Sequence, residues 1–256
     1  MYSQSSLIRV PLLAVLGLCF ATAAFAEIPP SAVWPLPAVP TGANPETIAT
    51  PRDEWVARVD RTLAVTKGKQ FELVFDGDSI TDFWQGTGKA VWAARYGALK
   101  AVDFGISADK VENLLWRLQQ GEVDGMDPKL VVMMIGTNNS GRDSVDQIAE
   151  GVANVTAEYQ KRCPNAEILL LGIFPRSALP TDPIRAKIAA INKKISALQG
   201  GRVTYLDIGA KFLQPDGTLT KEIMPDFLHP SAKGYQIWAD AIQAVVDQYA
   251  GKAGAK

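Results

Sequence analysis

Two apolar runs do most to limit the folds open to this chain. Leu130 to Ile135 and Ile168 to Phe174 contain no charged or hydrogen-bonding side chain. A strand with one wet face alternates apolar and polar residues, so uninterrupted runs of this kind belong to strands covered on both faces. Phe71 to Phe75, Ala101 to Phe104 and Val203 to Ile208 fit three further strands. Helical patterns stand between them. Arg52 to Val65 places Trp55, Val59 and Leu63 at four-residue intervals, and Asp109 to Gln120 places Val111, Leu114, Leu115 and Leu118 on one face. Lys89 to Leu99, Asp143 to Arg162 and Pro183 to Leu198 read as helices, the last with proline in its first turn. Ser231 caps a final helix ending near Tyr249. Strands alternating with helices predict a five-stranded parallel sheet with helices on both faces, a three-layer α/β/α sandwich.

The first 51 residues stand apart from this alternation. Arg9, the apolar run Leu12 to Phe20 and the small-residue pattern Ala24-Phe25-Ala26 read as a secretory signal peptide, residues 1–26, cleaved near Ala26. The apolar run is too short to span a bilayer, so no stable membrane insertion is expected. The product is expected to be exported, to the periplasm or the medium. Residues 27–51 form a proline-rich lead-in, with seven prolines between Ile28 and Pro51. Proline fixes φ and lacks a donor, so this segment is expected to be extended, either packed along the domain or serving as a linker. The domain proper is placed at 52–250. Without the signal peptide, Cys163 is the single cysteine, expected as a buried small hydrophobe. No strongly basic stretch is present, so nucleic acid is not an expected partner.

Parallel sheets bind ligands beyond the carboxyl ends of their strands. Polar clusters fall at those places: Asp76-Gly77-Asp78-Ser79-Ile80 after the first strand, Asp103-Phe104-Gly105-Ile106-Ser107 after the second, and Gly136-Thr137-Asn138-Asn139 after the third. Asp226-Phe227-Leu228-His229-Pro230 precedes the last helix. The chain has one histidine, which excludes metal sites built from several histidines and leaves His229 as the only imidazole base. A serine hydroxyl needs such a base to become a nucleophile. Asp226, three residues earlier, could hold the other ring nitrogen. Catalytic candidates are therefore Ser79, Asp226 and His229. Oxyanion donors are the backbone N–H groups of Ser79 and Gly105 and the amide of Asn138.

The four segments resemble the signature blocks of the GDSL, or SGNH, serine hydrolases, with Ser79, Gly105, Asn138 and His229 in order. The longer pattern, which includes Glu112-Asn113-Leu114-Leu115-Trp116-Arg117-Leu118, is similar to the branch of platelet-activating-factor acetylhydrolase catalytic subunits and their bacterial relatives. The resemblance covers about residues 71–245. Ile80 replaces the usual leucine, and Asn139 stands where many members carry aspartate. The resemblance implies a flavodoxin-like sandwich, no metal or organic cofactor, and hydrolysis of esters or thioesters, often of short acyl groups. Together with export it points to an acetyl ester of a glycan or small molecule as substrate. The rival readings are a periplasmic lysophospholipase or thioesterase, and a glycan-binding protein with a dead site.

Competing structural roles stay open for single residues. Ser79 could be only a helix cap, Gly105 only a backbone hinge, and Asn138 only a loop cap. Asp226 could be a loop residue that leaves His229 to a backbone carbonyl. Asp78 and Asn139 read as loop anchors. Phe83, Trp84, Phe174, Arg176 and Phe227 fall near predicted strand ends, the last four as candidate substrate contacts, against ordinary packing or a solvated charge. Trp55, Trp92, Trp116 and Trp238 read as core. The oligomeric state has no signature in the sequence.

Overall fold

The computed structural model describes residues 40–249. The expected signal peptide and the first part of the proline-rich lead-in lie outside the described residues.

Five parallel strands form one sheet: β1 (Leu73–Gly77), β2 (Ala101–Asp103), β3 (Leu130–Met134), β4 (Glu167–Leu171) and β5 (Val203–Leu206), in the order β2-β1-β3-β4-β5. The α/β/α expectation holds. The helices are α1 (Asp53–Thr66), α2 (Ser79–Asp82), α3 (Lys89–Arg95), α4 (Val111–Gln119), α5 (Val145–Arg162), α6 (Pro183–Ile195) and α7 (Ala232–Tyr249). Two apolar clusters cover the sheet. One gathers Val74, Val131, Met133, Ile168 and Leu170 with α4, α5 and α6. The other gathers Leu73, Phe75, Val132, Met134, Leu169 and Leu171 with Trp84, Tyr235, Trp238 and Ile242. Alternate residues of each buried strand thus feed opposite layers, as two covered faces require.

Helix starts follow local chemistry. Ser144 Oγ accepts from Gln147 N–H at 3.2 Å while the Gln147 side chain accepts from Ser144 N–H at 2.9 Å, a reciprocal cap on α5. Asp182 caps α6 through Ile184 N–H at 3.0 Å, with Pro183 in the first turn. Ser231 Oγ accepts from Gly234 N–H at 3.2 Å at the start of α7, as expected.

The first strand departs from expectation by running two residues further, to Gly77. An apolar criterion stops at Asp76. That carboxylate is nonetheless fully buried, because Arg117 and the Tyr159 hydroxyl donate to it. A buried charge held by paired donors does not end a strand.

The described end of the lead-in is folded onto the domain. Asn44 Nδ2 donates to the Gln147 carbonyl at 3.0 Å, and Thr50 N–H to the Glu112 carbonyl at 3.0 Å. Between them a single 3-10 turn, Pro45–Thr47, buries Glu46 completely. Arg142 donates to Glu46 at 2.8 Å and to Glu112 at 2.9 Å. Burial, with Glu112 and Asp143 beside it, pushes Glu46 up to about 9, so one proton is shared in this carboxyl group at neutral pH.

Candidate active site

β1 and β3 are neighbours although β2 lies between them in sequence. The strand order reverses there, and the loops after the two strands splay apart to leave a crevice. The loop after β1 carries Ser79, and the loop after β3 carries Asn138.

The serine turn is built from close backbone contacts. A Cβ on Gly77 would meet the Met134 carbonyl oxygen, so only glycine fits this crossing of β1 and β3. Asp78 Oδ1 accepts from Ile80 N–H at 3.0 Å and caps α2, the anchoring role expected for it. Burial pushes the Asp78 carboxyl up to about 7 against that bond; nearby Asp109 adds to the rise and Arg176 opposes it. Ser79 is the first residue of α2 and keeps 7% of its surface exposed. Its N–H lies where a helix has no internal acceptor.

Ser79 Oγ–H donates to His229 Nε2 at 2.9 Å, and His229 Nδ1 lies 2.6 Å from Asp226 Oδ2. Asp226 Oδ1 accepts from the amides of Leu228 at 3.0 Å and His229 at 2.8 Å. Partial burial opposes its charge, but these bonds outweigh it and hold the carboxyl below its usual range. An ionised carboxylate only accepts, so it places the imidazole proton on Nδ1 and leaves Nε2 free to accept. The Phe83 ring lies on the imidazole at 5.0 Å between centroids, tilted by 36°. Phe83, one of the aromatic residues near the predicted strand ends, follows Ser79 by four residues, one helical turn, and that spacing is the signal for its place at the site.

The three expected oxyanion donors meet different fates. The Ser79 N–H stands free at the helix start. Asn138 Nδ2 donates one hydrogen to the Asp109 carbonyl at 2.8 Å, which fixes the amide plane and leaves its second hydrogen available. Gly105 departs from expectation: its N–H donates to Asp103 Oδ1 at 2.9 Å and is already engaged. The close approach of Gly105 is real, however. A Cβ there would collide with the Asp82 backbone nitrogen, so the glycine brings the second loop against the serine turn. Asp82 tightens the same junction by accepting from Ser107 N–H at 3.1 Å and from Arg58 at 2.6 Å.

Of the four expected substrate contacts, the structure separates two from two. Trp84 and Phe174 are corrections: they are 0% and 1% exposed. Trp84 packs among Phe75, Tyr96, Tyr235 and Trp238, and Phe174 against Phe212 and Trp238. A side chain closed off by this many rings walls no substrate space; each belongs to the apolar cluster packed on the sheet with Phe75, Met134 and Leu171. Arg176 and Phe227 do line a cavity, of about 400 Å³, with Ser177, Asp182, Asp226 and Leu228. Ser177 and Phe227 both have positive φ, 73° and 59°, and are joined by a hydrogen bond from Ser177 N–H to the Phe227 carbonyl at 2.9 Å. Residues held there cost about 1–3 kcal/mol each and gather at ligand clamps. The expected core roles of Trp116 and Trp238 hold, as does that of Cys163. Asn139 anchors its loop: Oδ1 accepts from Val111 N–H at 3.1 Å and Nδ2 donates to Glu112 at 3.0 Å. Among the described residues no cluster of metal-ligating side chains occurs, and no helix is long and apolar enough to cross a membrane.

A doubly wound parallel sheet with serine, histidine and aspartate in hydrogen-bonded line at its switch point defines an α/β hydrolytic enzyme. Comparison with known proteins places it more narrowly: the chain belongs to the GDSL-like lipase/acylhydrolase family, whose profile matches residues 75–237. The platelet-activating factor acetylhydrolase IB subunit alpha1 of Bos taurus is 34% identical over 200 residues, 75% of this chain and 84% of that protein. The alpha2 subunit of Rattus norvegicus is 34% identical over 185 residues, covering 72% and 79%. A GDSL-like lipase from Bacteroides thetaiotaomicron superposes with a TM-score of 0.62 at 20% identity, over 76% of this chain and 97% of that one. An acetylxylan esterase from Geobacillus stearothermophilus superposes with a TM-score of 0.55 at 22% identity, over 69% and 93%.

Proposed function

We propose that this acylhydrolase is an exported serine esterase that removes short acyl groups, acetyl foremost, from carbohydrate esters. The observation that carries the reading is the unbroken line Ser79 Oγ, His229 Nε2, His229 Nδ1, Asp226 Oδ2, at 2.9 and 2.6 Å. Ser79 Oγ attacks the ester carbonyl as its proton passes to His229 Nε2. Asp226 stabilises the imidazolium and holds its orientation. The Ser79 N–H and the free hydrogen of Asn138 bind the oxyanion, and the Gly105 N–H joins them if it leaves Asp103. His229 then protonates the departing alcohol, and a water activated by the same imidazole releases the acyl group.

Support for a short acyl group comes from names: two of the relatives are acetylhydrolase subunits and one neighbour of the fold is an acetylxylan esterase. Support for export is the charged, apolar and A-x-A pattern of residues 1–26. The test compares p-nitrophenyl acetate with p-nitrophenyl octanoate, with Ser79→Ala as control. Acetate ester turnover that is faster, and lost in the variant, is expected. Faster octanoate turnover would move the reading to a long-acyl lipase or thioesterase. N-terminal sequencing of the protein from the periplasm or medium should begin at Glu27; a full-length chain confined to the cytoplasm would remove export.

A further inference from the structure

Arg176 has no carboxylate partner, although carboxylates surround it. Among the described residues no acidic oxygen lies within ion-pair distance of it, and its guanidinium makes one hydrogen bond, from Nη1 to the Thr137 carbonyl at 3.3 Å. A guanidinium has five N–H donors. Other arginines near the site have carboxylate partners: Arg58 is held by Asp82 and the Gly105 carbonyl, and Arg117 by Asp76, Asp109 and Glu122. Arg185, on the far side of the same loop, donates to the carbonyls of Ser177 and Gly217 at 3.2 and 3.1 Å. Arg176 alone presents a half-buried fork of free donors, and it does so into the 400 Å³ cavity that also contains Asp226.

The position of that cavity says which part of a substrate enters it. The leaving alcohol takes its proton from His229, which rides on the loop 226–229. Phe83 covers one face of the imidazole. Phe227 and Leu228 of that loop form the cavity wall. The cavity adjoins the catalytic line without containing Ser79 or His229: Asp226, Phe227 and Leu228 line it on the histidine side, and Arg176 reaches the Thr137 carbonyl, next to Asn138. An ester whose carbonyl oxygen faces Asn138 and the Ser79 amide has its alcohol side directed along this loop toward the cavity. Ser177, joined to Phe227 by its N–H, and Asp182 also line the cavity. Both oxygens of Asp182 already accept, from Ser177 Oγ–H at 2.6 Å and Ile184 N–H at 3.0 Å, and its charge sits at the start of α6, which offsets it. Carboxylates accept further bonds from ligand hydroxyls.

We infer that this cavity is the alcohol subsite and that Arg176 selects esters whose alcohol bears a carboxylate beside free hydroxyls, that is, an O-acetylated acidic sugar. This rests on the serine esterase reading and names its substrate class. The charge needed by Arg176 is supplied by the sugar carboxylate, for which a guanidinium fork is the geometric match. The hydroxyl donors needed by Asp182 are supplied by the same ring. An acetylated glycerophosphodiester satisfies the first requirement and, with a single free glycerol hydroxyl not fixed on a ring, meets the second less well.

The test uses the full chain and three acetyl esters: an acetylated uronate oligosaccharide, the same oligosaccharide with its carboxyls reduced to alcohols, and an acetylated glycerophosphodiester. p-Nitrophenyl acetate with Ser79→Ala runs alongside as the measure of serine esterase activity. The acidic oligosaccharide should exceed the reduced one by about tenfold or more in kcat/KM, through KM, as removal of a charge-assisted pair typically costs. That ratio should shrink as salt rises, since the pair is half-exposed. In Arg176→Ala, checked for an unchanged thermal melt, the ratio should fall to about one; Arg176→Lys should keep part of it. Equal rates on acidic and reduced substrates, a ratio that survives in Arg176→Ala, or a preference for the phosphodiester would overturn the inference and leave the esterase reading intact. No Ser79-dependent hydrolysis of p-nitrophenyl acetate would instead remove the esterase reading itself.

Discussion

Two ionic assemblies meet at the serine turn, and they are opposites. Behind it, Arg117 donates to Asp76 and Asp109 at 2.8 Å and to Glu122, with every side chain at most 2% exposed. In front of it, Asp226 and His229 form one pair whose side chains are 55% and 25% exposed. The buried assembly sets the shape of the site. Asp76 and the Gly77 carbonyl, held by Arg117, lead into Ser79, while Asp109, held by Arg117 and at 3.5 Å by Arg52, offers its carbonyl to Asn138. The exposed assembly is the one that would move protons in the proposed reaction. Burial makes a charge expensive to leave unpaired, whereas exposure keeps a pair cheap to break. Stability and chemistry are thus divided between two faces of one turn, and each can be perturbed separately.

The largest expected effect lies at the front. Ser79→Ala and His229→Ala should each lower kcat by about 10⁴-fold or more, with unfolding midpoints close to wild type. His229 is the only histidine, so no second imidazole can mask its loss. Steady-state kinetics beside thermal melts check this, and a large loss of stability would blur the division. Asp226→Asn should follow, with a loss of about 10²–10⁴-fold in kcat. An asparagine amide there donates to Nδ1, moves the imidazole proton to Nε2, and leaves Ser79 without an acceptor. A pH–rate profile should then show no recovery at any pH.

The next effect moves to the back. Arg117→Met should destabilise the fold by about 3–5 kcal/mol, because three buried carboxyls lose their common cation. Denaturant titration measures it; a change below about 1 kcal/mol would mean the cluster is not a structural centre. A smaller effect comes from pH. Burial pushes Glu122 up to about 8 despite Arg117, with Asp76 and Asp109 adding to the rise. The folded state therefore keeps a proton that the unfolded chain releases from about pH 4.5 upward, so stability should fall as pH rises from about 5 toward 9. Glu122→Gln removes that group's proton release and should flatten the fall. The smallest expected effect is Phe83→Ala, a few-fold loss in kcat from a less confined imidazole, read from initial rates on p-nitrophenyl acetate.

Contrasts between individual residues show where the sequence is legible. Ser79 and His229 stand in loops that local pattern alone locates, because glycine, proline and polar clusters mark strand ends. Trp84 also stands beside such an end, five residues after Ser79, yet it is wholly buried. Which way a ring turns depends on Phe75, Tyr96, Tyr235 and Trp238, four residues spread over more than 160 positions. Asp76 shows the converse: a charged residue ends an apolar run in sequence, while its strand continues because Arg117 lies 41 residues away in the chain and in contact in space. Gly105 is legible as a required glycine and illegible as a donor, since the partner of its N–H is the side chain of Asp103.

The sequence by itself determined the strand and helix alternation, the first-turn proline of α6, the cap of α7, and the loops that carry Ser79, Asn138 and His229. These follow from periodicity and turn chemistry, which act over a few residues. The tertiary structure alone decided that β1 and β3 lie side by side, that Arg117 rather than any loop residue holds the serine turn, that Trp84 and Phe174 are core, and that Arg176 is left without a carboxylate partner. Each of these depends on which distant groups reach one another, and a buried charge or ring takes its role from the neighbours that desolvate it.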